Sequence, residues 1–206
     1  MLTLTDAVLD HNVVTGSGGA IFIEPGGTAT ISDSTFNDNE AALEGGAINN
    51  RAGTLIVYHS TFFNNQSGKR GGAIHSLSGV PDADLTVGHS IFSGNTAGPV
   101  APSDGGAISN RSATGGGTAT ATVTDSIIVG NTADDDGGGV NNEAGAAGGV
   151  LATMTIIDSI VAGNSASAFG ADINTEKTAG TGVDILSVTN TVFDVCENTN
   201  GVGACP

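Results

Sequence analysis

"GGAINN", residues 45–50, sets two glycines directly before a small apolar pair and two asparagines. Near copies stand at "GGAIFI" (18–23), "GGAIHS" (71–76), "GGAISN" (105–110), "GGGVNN" (137–142, offset by one) and "GADINT" (170–175). A second motif follows each of these: "DSTFNDN" (33–39), "HSTFFNN" (59–65), "HSIFSGN" (89–95), "DSIIVGN" (125–131) and "DSIVAGN" (158–164). Looser versions lie at "DAVLDHN" (6–12) and "NTVFDVC" (190–196). Self-similarity at a period of a few tens of residues is the mark of a solenoid, in which each unit buries its apolar face only against its neighbours.

Aligning the second motif on its fourth residue brings Leu9, Phe36, Phe62, Phe92, Ile128, Val161 and Phe193 into one column, with unequal spacings of 27, 26, 30, 36, 33 and 32 residues. A rod with constant rungs and variable loops accounts for that inequality. Between the motifs, apolar residues alternate with polar ones, as in Leu55/Val57, Leu85/Val87, Ala121/Val123, Met154/Ile156 and Leu186/Val188, which is the period of a half-buried strand. The "GGAI" strand adds Ile21, Ile48, Ile74, Ile108, Val140 and Ile173. Three apolar columns per repeat predict an all-β parallel β-helix of about seven rungs with three strands each, on the order of 30 Å long at roughly 4.8 Å per rung. The glycines permit the sharp corner that enters the first strand. Asn12, Asn39, Asn65, Asn95, Asn131 and Asn164 form an amide column, expected to run as a hydrogen-bonded ladder until Cys196 takes its place. The reading places the repeat domain at 1–195 and a cysteine-containing tail at 196–206, with a truncated beginning, since the chain opens inside a strand pattern.

Composition limits function. The chain has 206 residues, 33 of them glycine, and a net charge of −16 with five cationic side chains. Such a surface repels phosphate backbones, so nucleic acid is not an expected partner. No run of about 18 apolar residues is present, so no membrane-spanning helix is expected. "MLTLTDAVLDHN" has neither the basic start nor the apolar block of an export signal. Cys196 and Cys205 lie nine apart in a loop-like tail, where a disulfide suits an extracytoplasmic setting.

The recurrence of "GGAI" with "FxxN", as in Gly45–Ile48 and Phe62–Asn65, resembles the repeats of polymorphic outer-membrane proteins. It is similar as well to bacterial β-helix surface proteins of the choice-of-anchor type. The resemblance implies that the β-helix is right-handed (a pectate-lyase-like solenoid) and that the chain is a secreted or surface-displayed bacterial solenoid, an adhesin-like or structural rod, with no catalytic residues to carry over.

Candidate chemistry is confined to a few columns. Asp6, Asp33, His59, His89, Asp125, Asp158 and Asn190 share one slot, in which neighbouring carboxylates would stand about 5 Å apart, near a retaining glycosidase's separation, and Asp33, His59, His89 and Asp125 could form a metal patch. The same short polar side chains also suit a turn. Asp134, Asp135 and Asp136 form an acidic glycine-rich corner, a candidate calcium site and the only cofactor expectation. Thr30, Thr86, Thr122 and Thr155 share an outward column, an array that would suit ice or another ligand, although Ile56 interrupts it. An enzyme acting on polysaccharide is the alternative to a display rod, but Trp is absent and Tyr58 is the single tyrosine. Expected partners are glycans or proteins, and open strand edges at the first rung predict end-to-end self-association.

Overall fold

The structure, a computed structural model, describes residues 1–113, 115, 117–146, 149–177 and 181–199. Among them every regular element is a strand, and the strands form four sheets of 7, 7, 6 and 7 members in which each neighbour is parallel and belongs to the adjacent turn. One turn shows the plan. Thr54–Tyr58 lies in the first sheet, Thr61–Phe63 in the second, Gln66–Ser67 in the third and Ile74–Ser78 in the fourth. The chain is therefore a parallel β-helix of about seven turns.

The repeat slots stack as the alignment requires. Ile48 pairs with Ile74 and Ile74 with Ile108 in the fourth sheet, and all three are fully buried. In the second sheet Phe36, Phe62 and Phe92 are in register, and their rings lie face to face at 4.7 and 4.6 Å with interplanar angles of 3° and 2°. Leu55/Val57, Leu85/Val87 and Ala121/Val123 close the third side of the core from the first sheet. Alternation of side chains along each strand turns one residue in two toward this core.

The third sheet adds a fourth strand to the expected three. It is two residues long, with one inward residue per turn: Ala41, Ser67, Ala97 and Ala133 are buried. So short a segment with so small an inward residue carries no hydrophobic alternation.

Each corner has its own chemistry. At the first, Asp6, Asp33, His59, His89, Asp125, Asp158 and Asn190 all take positive φ between 48° and 52°, where short polar side chains are tolerated. The serine after it closes the turn: Ser60 N–H donates to Ser90 Oγ (3.1 Å), and Ser60 Oγ donates to the Tyr58 carbonyl (2.8 Å). At the second corner the amide ladder runs as expected. Asn12, Asn39, Asn65, Asn95 and Asn131 each donate Nδ2–H to the Oδ1 of the next member at 2.8–2.9 Å. At the third, Gly71 has φ +65°, and a Cβ on Gly72 would collide with the Gly106 carbonyl of the following turn. The paired glycines of the repeat are required by one positive φ and one close backbone approach.

The end of the ladder departs from the sequence reading. Cys196 does not succeed Asn164; it pairs with Ile173 in the fourth sheet, where Cys196–Thr199 forms the last strand. The partner after Asn164 is Asp172. The last turn runs from Val192–Phe193 to Cys196 with no strand of the third sheet between them, so the chain reaches the fourth sheet too early to place a residue in the amide column. Cys205 lies outside the described residues.

Candidate functional site

The fourth sheet carries a charged groove on its outer face. Its floor is the outward slot three residues after the buried aliphatic, where Leu77, Arg111, Glu143 and Glu176 are successive register partners. Its wall is the residue directly before the glycine pair. Arg70, Asp104 and Asp136 occupy that slot in successive turns, and their carbonyls accept the N–H groups of Gly45, Gly71 and Gly105 at 2.9 Å. With Pro102 and Asp135 these residues, Leu77 excepted, line an open cavity of about 350 Å³.

Ion pairs run across and along the groove. Arg70 Nε donates to Asp104 Oδ2 at 2.9 Å, Arg70 Nη2 lies 3.3 Å from Glu143 Oε2, and Arg111 Nε donates to the same Oε2 at 2.7 Å. Two guanidiniums thus meet on one carboxylate oxygen. Glu176 stands in the opposite situation. Burial, and then the charges of Asp104, Asp136 and Glu143, push its carboxyl up to about 8, and it shares a hydrogen bond with the Asp136 side chain. Asp136 is raised as well, mainly by burial, although its carboxylate accepts the Phe169 N–H at 3.0 Å. Burial pushes Asp104 up to about 6 against the pull of Arg70. Five acids and two arginines line the cavity, and the excess of acids is part of what raises Glu176. Beside the groove His75 is fully buried, and burial drives it down to about 4, so its ring is neutral.

The expected calcium corner is divided. Asp134 is exposed, whereas Asp135 and Asp136 face the groove. Carboxylate oxygens that lie within 4.8 Å of one another belong instead to Asp104, Glu143 and Glu176. That set of hard oxygens is of the kind a divalent cation takes, with the arginines already supplying much of the compensating charge. Asp10, His11 and Asp38 make a second such convergence, exposed at another corner, where Asn37 Nδ2 donates to both carboxylates at 2.7 Å.

The Asp33/His59/His89/Asp125 column is exposed. The imidazoles of His59 and His89 stack at 5.0 Å and 15°. Their nitrogens address different acids, His59 Nδ1 at 4.0 Å from Asp33 and His89 Nε2 at 3.8 Å from Asp125. Thr30, Thr86, Thr122 and Thr155 share one half-exposed column of the first sheet, with Ile56 in the turn between Thr30 and Thr86.

The slots of the groove are visible in the sequence, although the meeting of their charges is not. "KRGGAI", "SDGGAI" and "DDGGGV" place Arg70, Asp104 and Asp136 in one slot, and Arg111, Glu143 and Glu176 each stand three after the aliphatic residue of the fourth sheet. Of this set the sequence offers only Asp135 and Asp136 as ligand candidates, because the varied residue types give no motif.

The sequence model of the Chlamydia polymorphic membrane protein repeat matches residues 33–51, 59–77 and 89–111. Each match runs from the first corner through the second and third sheets into the fourth. These three stretches are thus similar to polymorphic membrane protein repeats, and the resemblance seen in "GGAI" and "FxxN" is borne out there. No curated protein and no solved structure matches the chain. Among the described residues no helix is long and apolar enough to cross a membrane.

Proposed function

We propose that this chain is a non-catalytic repeat segment of a bacterial surface-displayed or secreted protein, serving as an adhesin-like rod that presents its lateral faces to glycans or proteins. One observation carries the reading: slots facing the core repeat from turn to turn, whereas the outward slot of the fourth sheet changes from Arg51 to Leu77, Arg111, Glu143 and Glu176. Constant interior and varied exterior are what a scaffold for recognition needs, since long insertions and varied outer residues in solenoids mark the interaction face. The repeat matches to a membrane-protein family support the surface setting. The groove's charges are largely spent on one another, which supports a rigid surface more than a site awaiting substrate.

The test is adhesion of the purified chain to a panel of cells and to an array of glycans and proteins. Binding that is lost when Arg111 and Glu143 are exchanged for the residues of other turns, with the melting temperature kept, supports the reading; no binding to any surface overturns it.

A second reading, an enzyme acting on polysaccharide, is favoured by one feature. Glu176, pushed up to about 8, keeps its proton near neutral pH beside Glu143, whose Oε2 is ion-paired with two arginines, and a protonated acid next to a salt-bridged carboxylate is an arrangement that acid and base roles use. Release of reducing ends from neutral or uronate polymers, abolished by Glu176→Gln, would establish it in place of the display rod.

A further inference from the structure

Where the first sheet turns into the second, three aromatic rings lie exposed in a row. Tyr58 ends its strand at 38% exposure, and its register partner in the next turn is Gly88. The ring lies over that glycine: a Cβ there would stand 2.6 Å from Tyr58 Cδ1. Gly88 is buried as a result. The same slot holds Thr5, Ser32, Thr124, Ile157 and Thr189 in other turns, and none of these would let a ring lie flat. The neighbouring His59 ring is 6.4 Å from Tyr58 and stacks on His89 at 5.0 Å. Both histidines take a left-handed backbone, with φ of 48° and 49°, and the carboxylates of Asp33 and Asp125 flank the pair at 4.0 and 3.8 Å.

We propose that this strip is a binding platform for the pyranose ring of a neutral glycan, a ligand class that rests on the display reading above. Tyr58 supplies a pinned aromatic face whose other side is covered by backbone, suited to the C–H face of a sugar. Imidazole N–H groups and two carboxylates at its rim offer the donors and acceptors that ring hydroxyls need. Acids on both flanks and a net charge of −16 exclude uronate and sulfated sugars. The imidazole donors beside the ring disfavour a cationic group. A metal is a poor occupant because the stacked imidazoles direct their nitrogens to separate acids.

The experiment measures binding of gluco-, galacto- and mannohexaose to the whole chain by titration, with a uronate hexamer and hexalysine as comparators. Tyr58→Ala, His89→Ala and Gly88→Thr are each expected to weaken neutral-sugar binding by about tenfold, the factor that 1.4 kcal/mol represents. Tyr58→Phe, which keeps the ring, is expected to restore the binding that Tyr58→Ala loses, and Glu24→Gln, at an exposed position outside the strip and the groove, is expected to leave it unchanged. In the unmodified chain the sugar should shift the ring resonances of Tyr58, His59 and His89, a readout independent of any variant's folding. The proposal is overturned if no neutral hexaose binds, if binding survives all three substitutions, if resonance shifts fall elsewhere, or if only hexalysine binds. A chain that adheres to cells but ignores neutral sugars would sink the platform and leave the display rod standing; failure of both assays would remove both.

Discussion

Asp172 Oδ1 accepts two hydrogen bonds from Asn164, one from the backbone N–H at 3.0 Å and one from Nδ2–H at 2.9 Å. Its Oδ2 accepts the N–H groups of Asp194 and Val195 at 2.8 and 3.0 Å. Asp172 is 1% exposed, and it holds the last turn to the ladder in place of a further asparagine. A carboxylate, with acceptors on both oxygens, can receive four donors where an amide cannot.

Asp172→Ala therefore leaves four backbone or amide donors without a partner. Loss of about 3 kcal/mol or more is expected from urea unfolding, at 1–3 kcal/mol for each group that stays dry. Asp172→Asn should fall between, because its NH2 would face two donors. Equal stability of the alanine variant would show that water takes over the site.

Phe62 stands between Phe36 and Phe92 in a stack of nearly parallel rings. Phe62→Ala is expected to cost about 3–5 kcal/mol through lost burial and the cavity left behind. Phe62→Leu should cost less. The pair is compared by denaturant midpoint at constant m-value.

Gly72→Ala sets a methyl group against the Gly106 carbonyl. Backbone cannot move aside as a side chain does, so a cost of about 1–3 kcal/mol or more follows. Gly79→Ala, with open space around the position a Cβ would take, is the control and should change stability little. A reversed ranking in thermal melts would contradict the close approach of adjacent turns.

The groove makes stability depend on pH. Glu176 binds its proton more tightly in the folded chain, near 8 against an ordinary 4.5, so the folded state carries more protons between those values and stability declines as pH rises through that window. Asp104, raised to about 6, acts in the same direction over the lower part. His75, pushed down to about 4, acts oppositely: the unfolded chain binds the extra proton, so its contribution grows as pH rises from 4 toward 6.5. Between pH 6.5 and 8 Glu176 is left as the main term. Melting temperature should fall over that interval, and Glu176→Gln should flatten the fall. An unchanged slope in that variant would show that Glu176 holds no such proton.

The legibility of the fold in the chain follows from where its repetition lies. Ile48, Ile74 and Ile108, or Asn39 through Asn131, repeat because a buried slot accepts few residue types, so alignment alone predicts their contacts. The strand Gln66–Ser67 escaped because its inward residue is small and it has no second one. Arg70, Asp104 and Glu176 escaped for a different reason. Their slots recur, but the residues in them do not, and their charges meet only when the turns are stacked. Tyr58 was visible as a lone tyrosine, yet its seat over Gly88 depends on a partner 30 residues on.

The ladder bonds all run one way, each amide donating to the following turn, and strand pairing joins adjacent turns throughout. Excising one whole turn, from one amide of the column to the next, would thus rejoin equivalent groups and leave no donor stranded. Length in this architecture is adjustable by gene duplication or loss in unit steps, and every such step lengthens or shortens the solenoid by one turn without altering how it is held together.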